Sequence, residues 1–475
     1  MSQTAVLENR ITEGPIWKQL LAFFFPILLG TFFQQLYNTA DAIIVGNFVG
    51  KEALAAVGGT TSVLINFLVN LFVGVASGAT VVIAQLYGAQ RYDEVRRAVH
   101  TSIALAITAG VGIMIIGIAI SEPALRAMGT PADIIDYALT YIRIYFLGTV
   151  ASFIYNIGTG ILRAMGDTKR PLYFLIVACL VNIVLDLVFV LWLNWGVLGV
   201  GVATILSQVV SAFFILAALC KPDTVFQLKL REIRFSSDIL KHVLRIGFPA
   251  GIQSDMYTIS NILIQSCINS FGTNAVAAWT AFGKIDGFYW MISGAYGVAI
   301  TTFVGQNFGA QKYDRVRKSV KVCHGMTFAT TAIVSVLFCA FPRPLLQLFT
   351  SDPEVLDMGV RVMWLMAPFY FTFVCIEILS GAIRGTGDSL IPMLLTCGGV
   401  CVLRILWIIF ILPIYPHFET VVVSYPITWV ITSVLFLIYY WQGGWMRRRI
   451  KKMGFAPEIR ESRGRKKLSA ANQDQ

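Results

Sequence analysis

Twelve long apolar runs divide this chain, and runs of that length leave few ways to fold. They lie near 17–46, 53–86, 98–120, 135–161, 171–193, 196–219, 244–270, 275–304, 322–341, 358–382, 389–413 and 420–441. A hydrocarbon core about 30 Å thick takes roughly 20 apolar residues of helix to cross. Inside it every backbone amide must find a partner within the protein, which a helix supplies by itself. The 475 residues are 56% hydrophobic and only 13% charged, against roughly 25% charged in soluble domains. An all-α polytopic membrane protein follows, with no length left over for a sizeable soluble domain. Pro26, Pro249 and Pro368 fall inside runs and are the expected kink points. The eight cysteines lie in or beside apolar runs without a CxxC pair, as small apolar fillers do.

The connections set the orientation. With both termini inside, the inner segments hold about 30 of the 37 basic residues, clustered at Arg91/Arg96/Arg97, Arg163/Lys169/Arg170, Lys221–Arg245, Lys312–Lys321 and the tail. Only Lys51, Arg126, Arg343 and Arg361 fall outside, and Arg143, Lys284 and Arg404 remain within spans. This is the positive-inside pattern. It accounts for the net charge of +11 without a nucleic-acid partner.

The chain also repeats itself. AQLYGAQRYDEVRR at Ala84–Arg97 returns as GQNFGAQKYDRVRK at Gly305–Lys318, an offset of 221, and GILRAMGDTKRP at Gly160–Pro171 returns as GAIRGTGDSLIP at Gly381–Pro392 at the same offset. One repeat covers six runs, an even number, so both halves enter the membrane in the same direction. They form parallel repeats about an axis along the membrane normal: an N-lobe at 1–225, a C-lobe at 226–446, and a basic tail at 447–475, with Lys221–Arg245 as the linker. Gly88 and Gly309 are expected to end their helices, with the Tyr-Asp and basic residues that follow lying flat on the inner surface. Arg163 and Asp167, like Arg384 and Asp388, flank a turn glycine and are expected to make inner-gate salt bridges.

An ionisable residue inside a span is costly unless paired or solvated, so each is a functional candidate. Asp41 on the first run, Asn182 and Asp186 one turn apart on the fifth, and Thr204 on the sixth lie about 9–12 Å below the outer boundary at 1.5 Å per residue. Two carboxylates, an amide and a hydroxyl suit a hard cation such as Na⁺. Alternatively the pair holds a proton, because neighbouring carboxylates in a low dielectric resist joint ionisation. At the repeat offset Asn182 and Asp186 map to Leu403 and Trp407, so this set belongs to one half alone. The second half carries Asp255, Lys284, Asp286, Glu377 and Arg404, which either neutralise one another or form a cationic-substrate or second proton site. Tyr37, Tyr257, Trp279, Tyr289 and Trp290 are cavity candidates able to hold flat cations by cation–π contact. No nucleotide loop, catalytic triad or metal motif appears, so neither an enzyme nor a nucleotide-driven pump is expected, and the only small ion required is Na⁺ or H⁺.

The 6+6 repeat, the Asp41-x-x-x-x-Gly46 pattern, the paired Gln-x-x-Gly-Ala-Gln loops and the paired Gly-Asp turns resemble the multidrug and toxic compound extrusion (MATE) family over residues 10–445. The resemblance implies two lobes around a central cavity and export of organic cations against Na⁺ or H⁺. It also implies an ion site at Asp41, Asn182, Asp186 and Thr204, and a bend of the first helix at Pro26. Asp255, Asp286 and Glu377 do not align with the C-lobe acids used by another branch. A monomer in the cell membrane, in contact with lipid and with both termini cytoplasmic, is the expected form. The alternative is a flippase for a lipid-linked sugar on a related two-lobe fold, disfavoured by the acidic candidates.

Overall fold

The computed structural model describes residues 10–452 apart from 132–133, 223 and 225. Twelve long helices run in the expected order: α1 Ile16–Val49, α2 Thr60–Gly88, α3 Tyr92–Ala127, α4 Ile135–Leu147 with Thr149–Ala164, α5 Lys169–Trp192, α6 Gly196–Leu219, α7 Ser237–Asn269, α8 Thr273–Gly309, α9 Tyr313–Ala340, α10 Pro353–Gly385, α11 Leu390–Phe410 and α12 Phe418–Trp441. A thirteenth, α13 Gly444–Lys452, is short and basic. Ten of these helices are long and apolar enough to cross a membrane, and the bent α4 pair makes an eleventh. The remaining one, α7, carries Lys241, His242 and Arg245 in its inner turns but begins the second half as α1 begins the first. The run read at 53–86 proves to be two helices, a short one at Lys51–Gly58 and then α2.

The helices break where no proline marks the break, with one exception. Pro26 and Pro249 sit inside unbroken helices, because a spanning helix can lose one hydrogen bond and continue. Only Pro368 marks a break, a short 3₁₀ turn at Ala367–Phe369. The sharpest bend, 50°, falls between Leu147 and Thr149. Three spans pass into π-helix: α1 at Val45–Val49, α5 at Val188–Trp192 and α11 at Cys397–Val402. Such wide turns are rare and collect at functional sites. Here Asp41 and Asp186 each lie within a turn of one.

Two six-helix lobes meet through α1, α2, α7 and α8. Their inner halves pack with almost no spacer. A Cβ on Gly74 would stand 2.1 Å from the Gly251 backbone nitrogen, and one on Gly78 would stand 2.4 Å from the Val243 carbonyl oxygen. The repeated loops close the bottom reciprocally. Gln85 donates to the Gly385 carbonyl at 2.8 Å, and Gln306 donates to the Ala164 carbonyl at 2.6 Å. A Cβ on Gly88 would meet the Gln306 carbonyl oxygen at 2.0 Å, and one on Gly309 would meet that of Gln85 at 1.9 Å. Residues 221 apart thus exchange places across a pseudo-two-fold axis.

The helices do end at Gly88 and Gly309 as expected, but it is this contact that requires glycine there. The left-handed residues that end α2 and α8 are Gln90 and Gln311, at φ 57° and 58°. Nor does the following segment lie flat: Tyr92 and Tyr313 begin α3 and α9 directly.

The segment Arg10–Thr12 tucks beneath the C-lobe, where Arg315 donates to the carbonyls of Ile11, Glu13 and Gly14 at 2.8–3.2 Å. The linker packs under the N-lobe through Phe226, Leu228 and Ile233. Arg96–Glu232 and Arg97–Asp238 ion pairs tie it and the start of α7 to α3. Toward the outer side, Gly283, Gly287 and Gly294 of α8 face open space. The lobes are closed tightly at the end that carries the repeated loops. Residues 453–475 of the basic tail lie outside the described residues.

Candidate ion and substrate sites

Within the N-lobe, α1 and α5 bring Asp41, Asn182 and Asp186 together, and Thr204 of α6 reaches the group through Tyr37, which lies beside both Thr204 and Asp41. Asp41 is 6% exposed, Thr204 5%, and Asn182 and Asp186 are fully buried. The Asp41 carboxyl lies against Asp186 and Asn182, yet no hydrogen bond of normal geometry satisfies the group. Asp41 Oδ1, both Asp186 carboxyl oxygens and both polar atoms of the Asn182 amide are buried without a partner. Each such atom costs about 1–3 kcal/mol if left empty-handed. A cluster of them is therefore a place for something positive. The Thr204 hydroxyl gives its proton to the Val200 carbonyl at 2.9 Å, which leaves its lone pairs free to accept.

Tyrosines complete the enclosure. Tyr37, placed by the sequence in the substrate cavity, lies instead beside Thr204, Ser207 and Asp41, because its position one turn before Asp41 turns it to the same face. Tyr141 of α4 is within electrostatic reach of Asp41, Asp186 and Tyr37, and Tyr145 lies one turn further along, 6.3 Å from it ring to ring. Sequence reasoning missed these two. Their one-turn spacing was the available signal, but aromatics in apolar runs are too common to stand out. Arg143 is no partner to the pair, since it bonds Glu122 at 3.3 Å.

A central cavity of about 380 Å³ lies between the lobes above the inner seal, reached by Gln34, Asn156, Arg163, Trp290, Glu377 and Arg384. The gate salt bridges expected at the two Gly-Asp turns do not form. Asp167 turns back to accept from the Lys169 and Arg170 amides at 3.2 and 3.1 Å and pairs with the Arg170 side chain at 3.1 Å. Arg163 and Arg384 point the other way, into the cavity. The Arg384 guanidinium donates to Gln253 at 3.2 Å, and the Nε atoms of both arginines are buried without a partner. Asp388 lies beside Arg449 of α13.

A second chamber of about 560 Å³ lies in the C-lobe and shares Trp290 and Glu377 with the first. Tyr257, Trp279, Asp286, Arg404, Tyr425 and Trp429 also line it. No ion pair joins any two of Asp255, Lys284, Asp286, Glu377 and Arg404 among the described residues. Asp286 accepts from the Tyr370 hydroxyl and, at 2.6 Å, from the Trp290 indole. Arg404, 2% exposed, stacks on Tyr425 at 3.7 Å. Tyr289 is buried behind this wall and bonds the Tyr370 carbonyl at 3.1 Å. Lys284 is exposed on α8 and lines neither chamber. Asp255 lines neither, although its Oδ1 is buried and unpaired.

Comparison with known proteins supplies the family. The MatE family model matches residues 26–188 and 249–410, one match in each lobe. The probable multidrug resistance protein YoeA of Bacillus subtilis is 27% identical over 95% of this chain and 99% of its own length. The probable multidrug resistance protein NorM of Thermotoga maritima is 27% identical over 92% and 96%. Among solved structures, a multidrug resistance MATE transporter in an outward-facing conformation superposes with a TM-score of 0.85 at 25% identity, covering 95% of this chain and 99% of that one. A Pyrococcus furiosus transporter, described as having a binding pocket whose reversed polarity suggests a different function, superposes equally well, at 0.85 and 25%. The chain belongs to the MatE family of twelve-helix multidrug efflux transporters.

Proposed function

We propose that this transporter exports organic cations in exchange for Na⁺ or H⁺ entering at Asp41, Asn182, Asp186 and Thr204. The observation that carries the reading is the knot of buried, unpartnered oxygens on α1 and α5. Loading it with a cation removes net negative charge from the N-lobe, and the two loading states then favour different helix packings. The π-turns of α1 and α5 touch one another beside the carboxylates, so a change in ligation reaches the helix that forms one wall of the cavity, with Pro26 as its hinge. The ion is cargo in this scheme, and oxygen-only donors suit a hard cation or a proton.

The substrate rests against the C-lobe aromatics, with Asp286 and Glu377 outweighing Arg404 in the same chamber. The lobes rock around it between the outward-open form and an inward-open one. Both termini then face the cytoplasm, and the exporter works as a monomer with no cofactor beyond the coupling ion.

In vesicles, efflux of ethidium driven by an imposed Na⁺ gradient or pH gradient tests this, with Asp41→Asn as the variant. Gradient-driven efflux should fall at least tenfold in the variant. Unchanged efflux and unchanged ion dependence would eliminate the coupling site.

One observation favours a second reading. Arg163 and Arg384 give the central cavity two guanidiniums against the single carboxylate of Glu377, which suits a substrate bearing an anionic group, as a flippase for a lipid-linked sugar would need. Efflux of an anionic dye, lost in Arg163→Gln/Arg384→Gln while ethidium efflux survives, would favour it.

A further inference from the structure

The inner end of the C-lobe carries a third charged cavity that the transport scheme does not use. It measures about 410 Å³ and is bounded by α7, the α10–α11 turn and α13. Arg245, Arg448 and Arg449 converge on it, with Asp388 as the one acidic side chain on its wall. The helix that delivers two of these arginines is held in place. Trp445, Met446 and Ile450 of α13 are each 3% exposed, Trp445 stacks on Tyr440 at 5.2 Å, and Arg449 donates to the Thr386 carbonyl at 3.1 Å. Arg449 is itself 9% exposed and lies within electrostatic reach of both Asp388 and Arg245. Two positive charges therefore remain uncompensated in a partly enclosed space.

Two further features say what belongs there. The Ser389 hydroxyl, on a residue 2% exposed, lines the cavity and is buried without a hydrogen-bond partner. The rim is apolar and open, with Leu244 at 38%, Phe248 at 51% and Leu390 at 51% exposure. An arginine cluster with a free hydroxyl suits a phosphate oxyanion. The apolar rim offers a free phosphate nothing, but it gives an acyl chain a surface to lie along. Basic pockets between spanning helices on the cytoplasmic side are a known form of lipid headgroup recognition.

We infer that this cavity binds the phosphate headgroup of an anionic inner-leaflet phospholipid, with Arg245, Arg448, Arg449 and Ser389 as its contacts. The lipid bridges α7, α11 and α13. It occupies the ground between the inner seal and the bilayer.

Native mass spectrometry of the full-length protein, titrated with phosphatidylglycerol or phosphatidylcholine, tests the assignment. The wild type should retain phosphatidylglycerol in preference to phosphatidylcholine. Arg245→Gln/Arg448→Gln alters two exposed side chains and should weaken phosphatidylglycerol binding about 30-fold, at roughly fivefold per arginine. Arg231→Gln/Arg234→Gln removes the same charge from exposed positions elsewhere on the inner face and should leave binding unchanged. Equal loss in the two double variants, or equal retention of both lipids by the wild type, overturns the site. Displacement of the lipid by millimolar glycerol phosphate overturns the lipid as the source of the phosphate.

Discussion

A carboxylate inside an apolar run announces itself, because nothing but function or a partner offsets its cost in a membrane. Asp41 and Asp186 were legible in the sequence for that reason, and the structure brings them face to face without satisfying them. That arrangement separates two properties that usually move together. Asp186→Asn removes a buried charge while keeping the shape, so it should leave the thermal midpoint in ion-free detergent equal or higher, by the worth of about 1–3 kcal/mol, while gradient-driven efflux is lost. A lower midpoint with efflux retained would mean the carboxylate is a structural element. Tyr37→Phe probes the same site more gently. Its hydroxyl is buried beside Thr204 and Asp41 with no hydrogen-bond partner of its own, free to join the ligands of a bound ion, and losing that one contact to a charged centre should raise the ion concentration for half-maximal efflux about 5- to 30-fold with the maximal rate preserved. An unchanged ion dependence would place Tyr37 outside the site. The arginines were harder to read. Arg163 and Arg384 sit four residues from an aspartate, which reads as a salt bridge, but the turn glycines Gly166 and Gly387 at φ 97° and 89° send the aspartates one way and leave the arginines facing the cavity. Spacing along a chain does not encode that divergence.

At the level of elements, the twelve spans were legible because hydropathy alone demands them, whereas their breaks were not. The π-turns of α1, α5 and α11 and the bend at Gly148 have no proline to mark them. The repeat motifs were visible as a repeat, but their meaning lay in contacts with the opposite lobe: Gln85 meets Gly309 and Gly385, Gly88 meets Gln306, and Gln306 reaches Ala164 in return. Backbone approaching backbone leaves no room for even a methyl group. Gly88→Ala should therefore weaken the inner seal and reduce efflux at least tenfold. Gly325→Ala should do nothing of the kind, since no atom lies within 4 Å of where its Cβ would sit, and an alanine in an exposed helix interior is favoured over glycine by about 0.5–1 kcal/mol. Parallel dye-efflux measurements on the two variants decide the matter; equal efflux would mean that the contact at Gly88 is incidental to transport.

For the whole molecule, the two lobes touch along α2 and α7. The waist is marked by Asn70, which donates to Thr258 across the lobes at 3.3 Å. Inward of that pair come Gly74 against Gly251 and Gly78 against Val243 and Gly247. If export proceeds by rocking, this seam must separate once per cycle, and a covalent tie across it must stop the cycle without disturbing the ion site some way above. Asn70→Cys/Thr258→Cys places two cysteines on facing helices at positions whose side chains already touch, and a disulfide joins them once the Cα atoms come within about 7 Å. Oxidation should abolish efflux, and reduction should restore it. Binding of the coupling ion from the outer side should persist in the oxidised form, because Asp41 and Asp186 belong wholly to the N-lobe and do not need the lobes to part. Efflux that continues at the reduced rate after full cross-linking would show that substrate crosses without opening this seam. The repeated loops would then serve only to hold the halves together, and the exchange of ion for drug would have to be sought within a single lobe.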